Sequence, residues 1–169
     1  KKYSYKILNK LNNKTTRNEK IYISRQNCSY RNLINESDII NKLKKIDFRI
    51  VDLNDLTILQ QIDLFSNAGT IVAATGSSLA NLVFCNTGAK VYEISPIYQH
   101  PYEKIFNSRY KFIAQSLNLN YQRIIADSIN IDNYDNKTKE IINPKILKES
   151  NYYKDLILNI KDLDKINFD

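Results

Sequence analysis

The chain has 169 residues, a size typical of one domain, and its 43% hydrophobic and 25% charged residues exclude a disordered chain. Lys and Arg total 25 against 18 Asp and Glu, a net charge of +7 that is compatible with nucleic acid, an anionic membrane surface or a phosphate-bearing ligand. Two cysteines and a single histidine exclude a disulfide framework and a histidine-based metal cluster.

The beginning of the sequence indicates part of a longer protein, because it starts at Lys1 and contains no methionine. Residues 1–19 are expected to form a helical end or linker, and residues 20–169 one domain. The uncharged stretch 64–89 holds too many Asn, Gly, Ser and Thr for a membrane-spanning helix. No signal peptide is recognisable, so a cytoplasmic location is expected, with peripheral membrane association left open.

From residue 20 onward, strand and helix patterns alternate. Short β-prone runs predict strands at 20–24, 48–53, 70–74, 89–95 and 121–126. Apolar residues at helical spacing predict helices at 35–46, from 57 to just before 69, from 78 to about 84, and at 102–117. A polar stretch at 127–145, expected to be a loop, precedes a last strand at 155–160 and a short helix. The alternation predicts an α/β fold, a Rossmann-like three-layer domain with a mostly parallel sheet.

The second helix carries the clearest boundary signals. Thr57 and Gln60 have the spacing of a capping box, and Gly69 stands where a glycine often ends a helix. The apolar run 70–74 that follows is typical of a strand buried on both faces.

Ligands of parallel sheets bind beyond the carboxyl ends of the strands, which selects the loops after Ser24, Ala74 and Ser95. The second of these loops, residues 75–78, combines small residues and hydroxyls with the start of a helix, where a phosphate is favoured. A tight turn with hydroxyl caps is the alternative interpretation.

Charged residues also stand at or near these strand ends. Arg25 follows the first strand and Arg31 comes six residues later, and guanidinium groups suit a diphosphate. The alternative for both is a surface ion pair with Glu36 or Asp38. Glu93, inside an apolar strand, either accepts from a ribose hydroxyl, is exposed at an edge, or forms an internal salt bridge.

Four ordered motifs resemble the pattern of glycosyltransferase family 61. They are KIYISR at 20–25, Arg31 followed by Asn35-Glu36, LQQIDLFSNAGTIVAATGSSLANLVF at 59–84, and KVYEISP at 90–96. The resemblance covers about residues 20–126. It implies one half of a GT-B enzyme, the Rossmann-like half that binds a nucleotide-sugar donor, commonly UDP-linked.

The resemblance also implies roles for individual residues. Arg25 and Arg31 would neutralise the diphosphate, and Glu93 would contact the ribose or the base. Gly76, Ser77 and Ser78 would line the diphosphate, and Asn81 would fix the loop. Asn35 and Glu36 match the family's Asn-Glu pair and would be positioning residues. The full expected set of donor-binding residues is Arg25, Arg31, Asn35, Glu36, Thr75, Gly76, Ser77, Ser78, Asn81 and Glu93.

The chain departs from the family pattern in its loop and in its length. In the loop, Thr75 stands where the family usually has histidine, Ser77-Ser78 replace Ala-Gly, and Ala80 replaces Thr. A hydroxyl can still donate to a phosphate, whereas a catalytic role of that histidine would be lost, so no catalytic residue is predicted. The acceptor domain and the general base are expected in an N-terminal part that this chain lacks.

The expected function is transfer of a sugar from the donor to a hydroxyl of a glycan, lipid-linked or protein acceptor, in glycan or cell-surface polysaccharide synthesis. We expect an inverting reaction with no metal and no cofactor, since the nucleotide sugar is itself a substrate. One alternative is a catalytically inactive nucleotide-binding or structural remnant, motivated by Thr75. The other is a basic nucleic-acid-binding module, although no nucleic-acid partner is expected.

Overall fold

The centre of the molecule is a parallel β-sheet. The computed structural model describes residues 18–28, 31–99, 103–129, 154–166 and 168. All neighbouring strands of the five-stranded sheet are parallel, in the order β2-β1-β3-β4-β5. The strands are β1 (Glu19–Ile23), β2 (Arg49–Val51), β3 (Ala68–Ala74), β4 (Lys90–Ser95) and β5 (Asn120–Ile125).

Helices connect the strands, and a small second sheet follows them. The α-helices are α1 (Glu36–Lys44), α2 (Ile58–Asn67), α3 (Arg109–Ser116) and α4 (Lys161–Asp164). The 3₁₀ helices span Leu53–Asp55, Ser77–Phe84 and Lys104–Asn107. The second sheet pairs β6 (Asp127–Ile129) with β7 (Asp155–Ile157) in antiparallel fashion. The prediction of an α/β, Rossmann-like domain with a mostly parallel sheet is confirmed.

The core lies on both faces of the large sheet. On one face, residues such as Tyr22 and Val72 pack with α1 and the C-terminal segment 156–168. On the other face, residues such as Ile71 pack with α2, the Ser77–Phe84 helix and α3. Because helices cover both faces, β3 needs no polar alternation, and residues 71–74 are at most 1% exposed.

Helix α2 ends just before Gly69, as predicted, but this glycine does not act as the expected helix stop. Helix α2 ends at Asn67, the N–H of Ala68 donates to the carbonyl of Phe65, and Gly69 is already part of β3. Glycine is needed there for space, because a Cβ at this position would overlap the side chain of Asn18. Close packing, and not a left-handed backbone, therefore explains this glycine.

Several further elements differ from the prediction, among them the strand predicted at 48–53, which spans only Arg49–Val51. The helix predicted from 78 to about 84, after the Gly/Ser loop (residues 75–78), is a 3₁₀ helix, and the helix predicted at 102–117 consists of a 3₁₀ turn followed by α3. The strand predicted at 155–160 ends at Ile157. The expected linker at 1–19 lies outside the described residues apart from 18 and 19, as does most of the stretch 127–145, which was expected to be a loop. The described beginning of that stretch, Asp127–Ile129, is strand β6, because it pairs with β7.

The capping box of α2 provides a stability test. The Thr57 hydroxyl accepts from the N–H of Gln60 at 3.4 Å, and Gln60 Oε1 accepts from the N–H of Thr57 at 2.8 Å. Thr57→Ala leaves the N–H of Gln60 without its side-chain acceptor, so we expect a loss of about 1 kcal/mol in the free energy of unfolding. Urea denaturation measures this loss, with Thr87→Ala in an exposed turn as the control. Equal stability of the two variants would contradict the capping role.

Candidate functional site

The carboxyl ends of three neighbouring strands define one edge of the sheet. Strands β1, β3 and β4 are adjacent and parallel, so the loops that follow Ile23, Ala74 and Ser95 leave the sheet on the same side. This is the edge at which parallel α/β sheets bind ligands. The loop that carries Arg25 and Arg31, here called the arginine loop, and the Gly/Ser loop therefore face the same side of the sheet.

The guanidinium group of Arg25 lies directly against the backbone of Gly76. A Cβ placed on Gly76 would overlap Arg25 Nη1 and would lie 3.6 Å from Arg25 Cζ. The φ angle of Gly76 is 170°, an extended backbone that any residue can adopt, so the glycine serves to leave room for the Arg25 guanidinium. Arg25 Nε donates to the carbonyl of Arg31 at 3.1 Å, which holds the guanidinium in this place.

The polar groups of the Gly/Ser loop differ in their exposure to solvent. Thr75 is fully buried, and its backbone N–H donates to the carbonyl of Ile94 on β4 at 2.8 Å. Ser77 is exposed and Ser78 is partly buried. Because the first N–H groups of a 3₁₀ helix have no partner within the helix, those of Ser77 and Ser78 can bind an anion.

Glu36 is a buried carboxylate that contacts the arginine loop. It is the first residue of α1 and only 4% exposed. Its Oε1 accepts a hydrogen bond from the N–H of Arg25 at 2.8 Å and another from the Tyr22 hydroxyl at 2.8 Å. Arg25 and Arg31 are 9% and 5% exposed, so a surface ion pair does not describe this arrangement.

The segment from Arg31 to Asn35 is attached to the C-terminal part of the chain. The Asn35 amide donates to the carbonyl of Leu158 at 2.7 Å and accepts from its N–H at 3.2 Å. Asp155 Oδ1 accepts from the N–H of Asn32 at 2.7 Å. Sequence reasoning missed this attachment, since nothing local in either segment identifies its partner.

The comparison with protein families covers most of these residues. The model of the family "Glycosyltransferase 61" matches residues 1–92, which is 92 of 169 residues and more than half of the chain. The chain belongs to the glycosyltransferase 61 family. The matched range contains every predicted site residue except Glu93. A comparison with curated proteins gave no match.

In this glycosyltransferase 61 domain, Asn81 joins the 3₁₀ helix to α2. Its amide donates to Gln61 Oε1 at 3.0 Å, and the Gln61 amide donates in turn to the carbonyls of Leu53 and Leu56. The side chain thus contacts the neighbouring helix, a position from which it can hold the end of the Gly/Ser loop.

Glu93 is the most deeply buried carboxylate of the candidate site, at 1% exposure. Its Oε2 accepts from the Tyr121 hydroxyl at 2.5 Å, and its register partner on β5 is Arg123. Burial raises the pKa of Glu93, while the hydroxyls of Tyr121 and Thr75 and the nearby guanidinium groups partly oppose this rise. Its contact with the ribose or the base stays a prediction.

The raised pKa of Glu93 gives an expected pH dependence. The folded domain keeps this proton at a pH at which the unfolded chain, with an ordinary pKa of 4.5, has lost it. The resulting stabilisation is complete below the pKa of the unfolded chain, 4.5, and is lost as the pH rises through the raised pKa of the folded domain. Glu93→Gln cannot ionise, so its free energy of unfolding should fall less than that of the wild type as the pH rises.

Urea denaturation at a series of pH values measures this difference. Tyr121→Phe removes a donor to the Glu93 carboxylate and should therefore move the loss of stability to higher pH. If Glu93→Gln and the wild type follow parallel curves, the carboxylate does not titrate as described.

Other features of the family domain lie away from this edge. A cavity of about 560 Å³, lined by Lys90, Lys111 and Asn120 among others, opens at the amino ends of β4 and β5, where parallel sheets do not gather their ligand loops. None of the helices in the described part of the chain has the length and apolar character to cross a bilayer. The same residues include no group of three or more His, Cys, Asp or Glu placed to hold a metal ion.

Proposed function

We propose that this domain binds the diphosphate of a nucleotide-sugar donor, commonly UDP-linked, and forms the donor half of a GT-B glycosyltransferase. The observation that carries the proposal is the contact between the Arg25 guanidinium and the Gly76 backbone at the carboxyl edge of the sheet. Membership of the family supports glycosyl transfer as the reaction. The donor, the acceptor and the division into two halves are part of the proposal.

The chemistry of the edge suits a pyrophosphate. Arg25 brings its guanidinium group to this edge, and Arg31 is proposed to bring a second one, since each can donate parallel hydrogen bonds to phosphate oxygens. The N–H groups and the exposed hydroxyl at Ser77, the residue after Gly76, add neutral donors. Arg25 is held by Arg31 before a ligand arrives, so binding requires little reorganisation.

In the proposed reaction, an acceptor hydroxyl attacks the anomeric carbon of the donor sugar. The new C–O bond forms on the face opposite the leaving group, and the bond to the nucleoside diphosphate breaks with inversion. The electron pair leaves with the diphosphate, whose growing negative charge the guanidinium and N–H groups stabilise without a metal ion. A general base of the acceptor domain takes the hydroxyl proton.

One observation favours a second candidate function. Thr75, at the position where the family loop usually has histidine, is fully buried and hydrogen-bonded to β4 through its backbone. A domain that keeps the donor site but lacks the chemistry of the histidine would bind the nucleotide without transferring the sugar.

Isothermal titration of the full chain with UDP tests the proposal. We expect saturable 1:1 binding that survives an increase of salt from 0.1 to about 0.5 M, because buried contacts are screened less than exposed ones. No binding of UDP, together with salt-sensitive binding of single-stranded DNA, would instead support the nucleic-acid module. Incubating the full-length protein with a panel of UDP-sugars and acceptors then distinguishes an active transferase from a protein that only binds.

A further inference from the structure

Tyr22 and Glu36 form a buried pair beneath the arginine loop. Tyr22 lies in β1 at 0% exposure, and Glu36 begins α1. One oxygen, Glu36 Oε1, accepts from both the Tyr22 hydroxyl and the Arg25 N–H, each at 2.8 Å. A single carboxylate oxygen therefore links a central strand, a helix and the residue that carries the guanidinium.

The two donors make it possible to keep this carboxylate buried. A buried charge is costly unless hydrogen bonds compensate for the lost water, so Glu36 depends on both partners. Burial and the neighbouring carboxylate raise the pKa of Tyr22 above its ordinary value of 10.0, so the hydroxyl stays protonated and remains a donor. The Tyr22 hydroxyl is therefore a donor to Glu36 at neutral pH.

We propose that Tyr22 and Glu36 are positioning residues that direct the Arg25 guanidinium toward the diphosphate of the donor. This inference rests on the proposed function. The Glu36 oxygen holds Arg25 at its backbone N–H, and the Arg31 carbonyl holds it at Nε. The first anchor fixes the backbone from which the side chain departs, and the second fixes the side chain next to its planar fork, which then lies on Gly76.

A double-mutant cycle tests this role, with the UDP dissociation constant of the full chain as the readout. Tyr22→Phe removes only the hydroxyl, and Glu36→Gln keeps the shape of the side chain while removing its charge. Each change alone should weaken UDP binding by about 5- to 10-fold. In an Arg25→Ala background, each should change the dissociation constant less than about twofold, because a positioning residue acts only through the group it positions.

Tyr92→Phe is the matched control. Tyr22, Val72 and Tyr92 occupy one rung across β1, β3 and β4, on the same face of the sheet, and the Tyr92 ring packs on Phe168. The same loss of a hydroxyl should leave UDP affinity within about twofold of the wild type, even if thermal unfolding shows a similar loss of stability.

The possible results separate the inference from the function on which it rests. If Arg25→Ala weakens binding but Tyr22→Phe and Glu36→Gln do not, the positioning role is wrong and the donor site stands. If the tyrosine and glutamate variants lose as much affinity in the Arg25→Ala background as in the wild type, they act through the fold in general, and the inference is overturned. If the wild type does not bind UDP, both proposals fail. Should Glu36→Gln not fold, the cycle with Tyr22→Phe decides.

Discussion

Replacement of Arg25 by alanine is expected to weaken UDP binding by roughly 1.5–3 kcal/mol, about 10- to 150-fold in dissociation constant. The side chain is 9% exposed and held against Gly76, so its charge acts where water screens it poorly. Truncation removes a charge-assisted donor to the diphosphate. A water molecule that enters the space left behind can offer only neutral donors. Isothermal titration measures the loss directly.

Lys104→Ala is the control for this variant. It makes the same change in net charge on an exposed residue of the Lys104–Asn107 helix. Exposed charges contribute little to a specific site, so we expect less than about a twofold change. Equal affinities of the two variants would show that Arg25 contributes only to the overall positive charge, and the assignment of the donor site would be wrong.

Gly76→Ala is expected to weaken UDP binding by about tenfold or more while reducing the free energy of unfolding by only about 1 kcal/mol. The new Cβ would overlap Arg25 Nη1, and that atom is the end of a flexible side chain, which can turn aside. The extended backbone at Gly76 accepts alanine without strain. The guanidinium is therefore displaced from the diphosphate edge while the fold persists.

Gly88→Ala separates displacement of Arg25 from a general loss of stability. Gly88 has a φ of +86°, so alanine there is strained by about 1–2 kcal/mol, yet a Cβ would meet nothing within 4 Å. We expect this variant to lose stability in urea denaturation and to keep wild-type affinity for UDP. Equal losses of affinity in the two glycine variants would contradict the steric explanation. In an Arg25→Ala background, Gly76→Ala should have no further effect.

The fold was largely predictable because its signals are local. The runs around 20–24, 70–74 and 89–95 gave strand positions correct to within about two residues, since apolar β-branched residues favour an extended backbone wherever they lie. The capping box at Thr57 was found as predicted, because both partners lie within one helical turn. Gly69 was misread, because the reason for that glycine is Asn18, which packs against it from an earlier part of the chain.

The site was predictable only as a set of candidates. Arg25 and the Gly/Ser loop were selected because the ends of parallel strands meet at one edge. The partners of Glu36 and Asn35 could not be predicted, since Tyr22 and Leu158 reach them through packing between distant segments. The burial of Glu93 could not be predicted either, because a single carboxylate in an apolar strand is compatible with an edge or an interior position.

The amino-acid sequence alone determined the order of strands and helices, the strand-end positions of Arg25 and Gly76, and the resemblance to a family. These features depend on periodicity and residue type over a few neighbouring positions. Only the tertiary structure decided that the Arg25 guanidinium lies on the Gly76 backbone and that Glu36 accepts a hydrogen bond from the Arg25 N–H. It also decided that Asn35 is hydrogen-bonded to Leu158 in the C-terminal segment. Such contacts join residues far apart in the chain, and they are selected by the fit of whole elements against one another rather than by any local pattern.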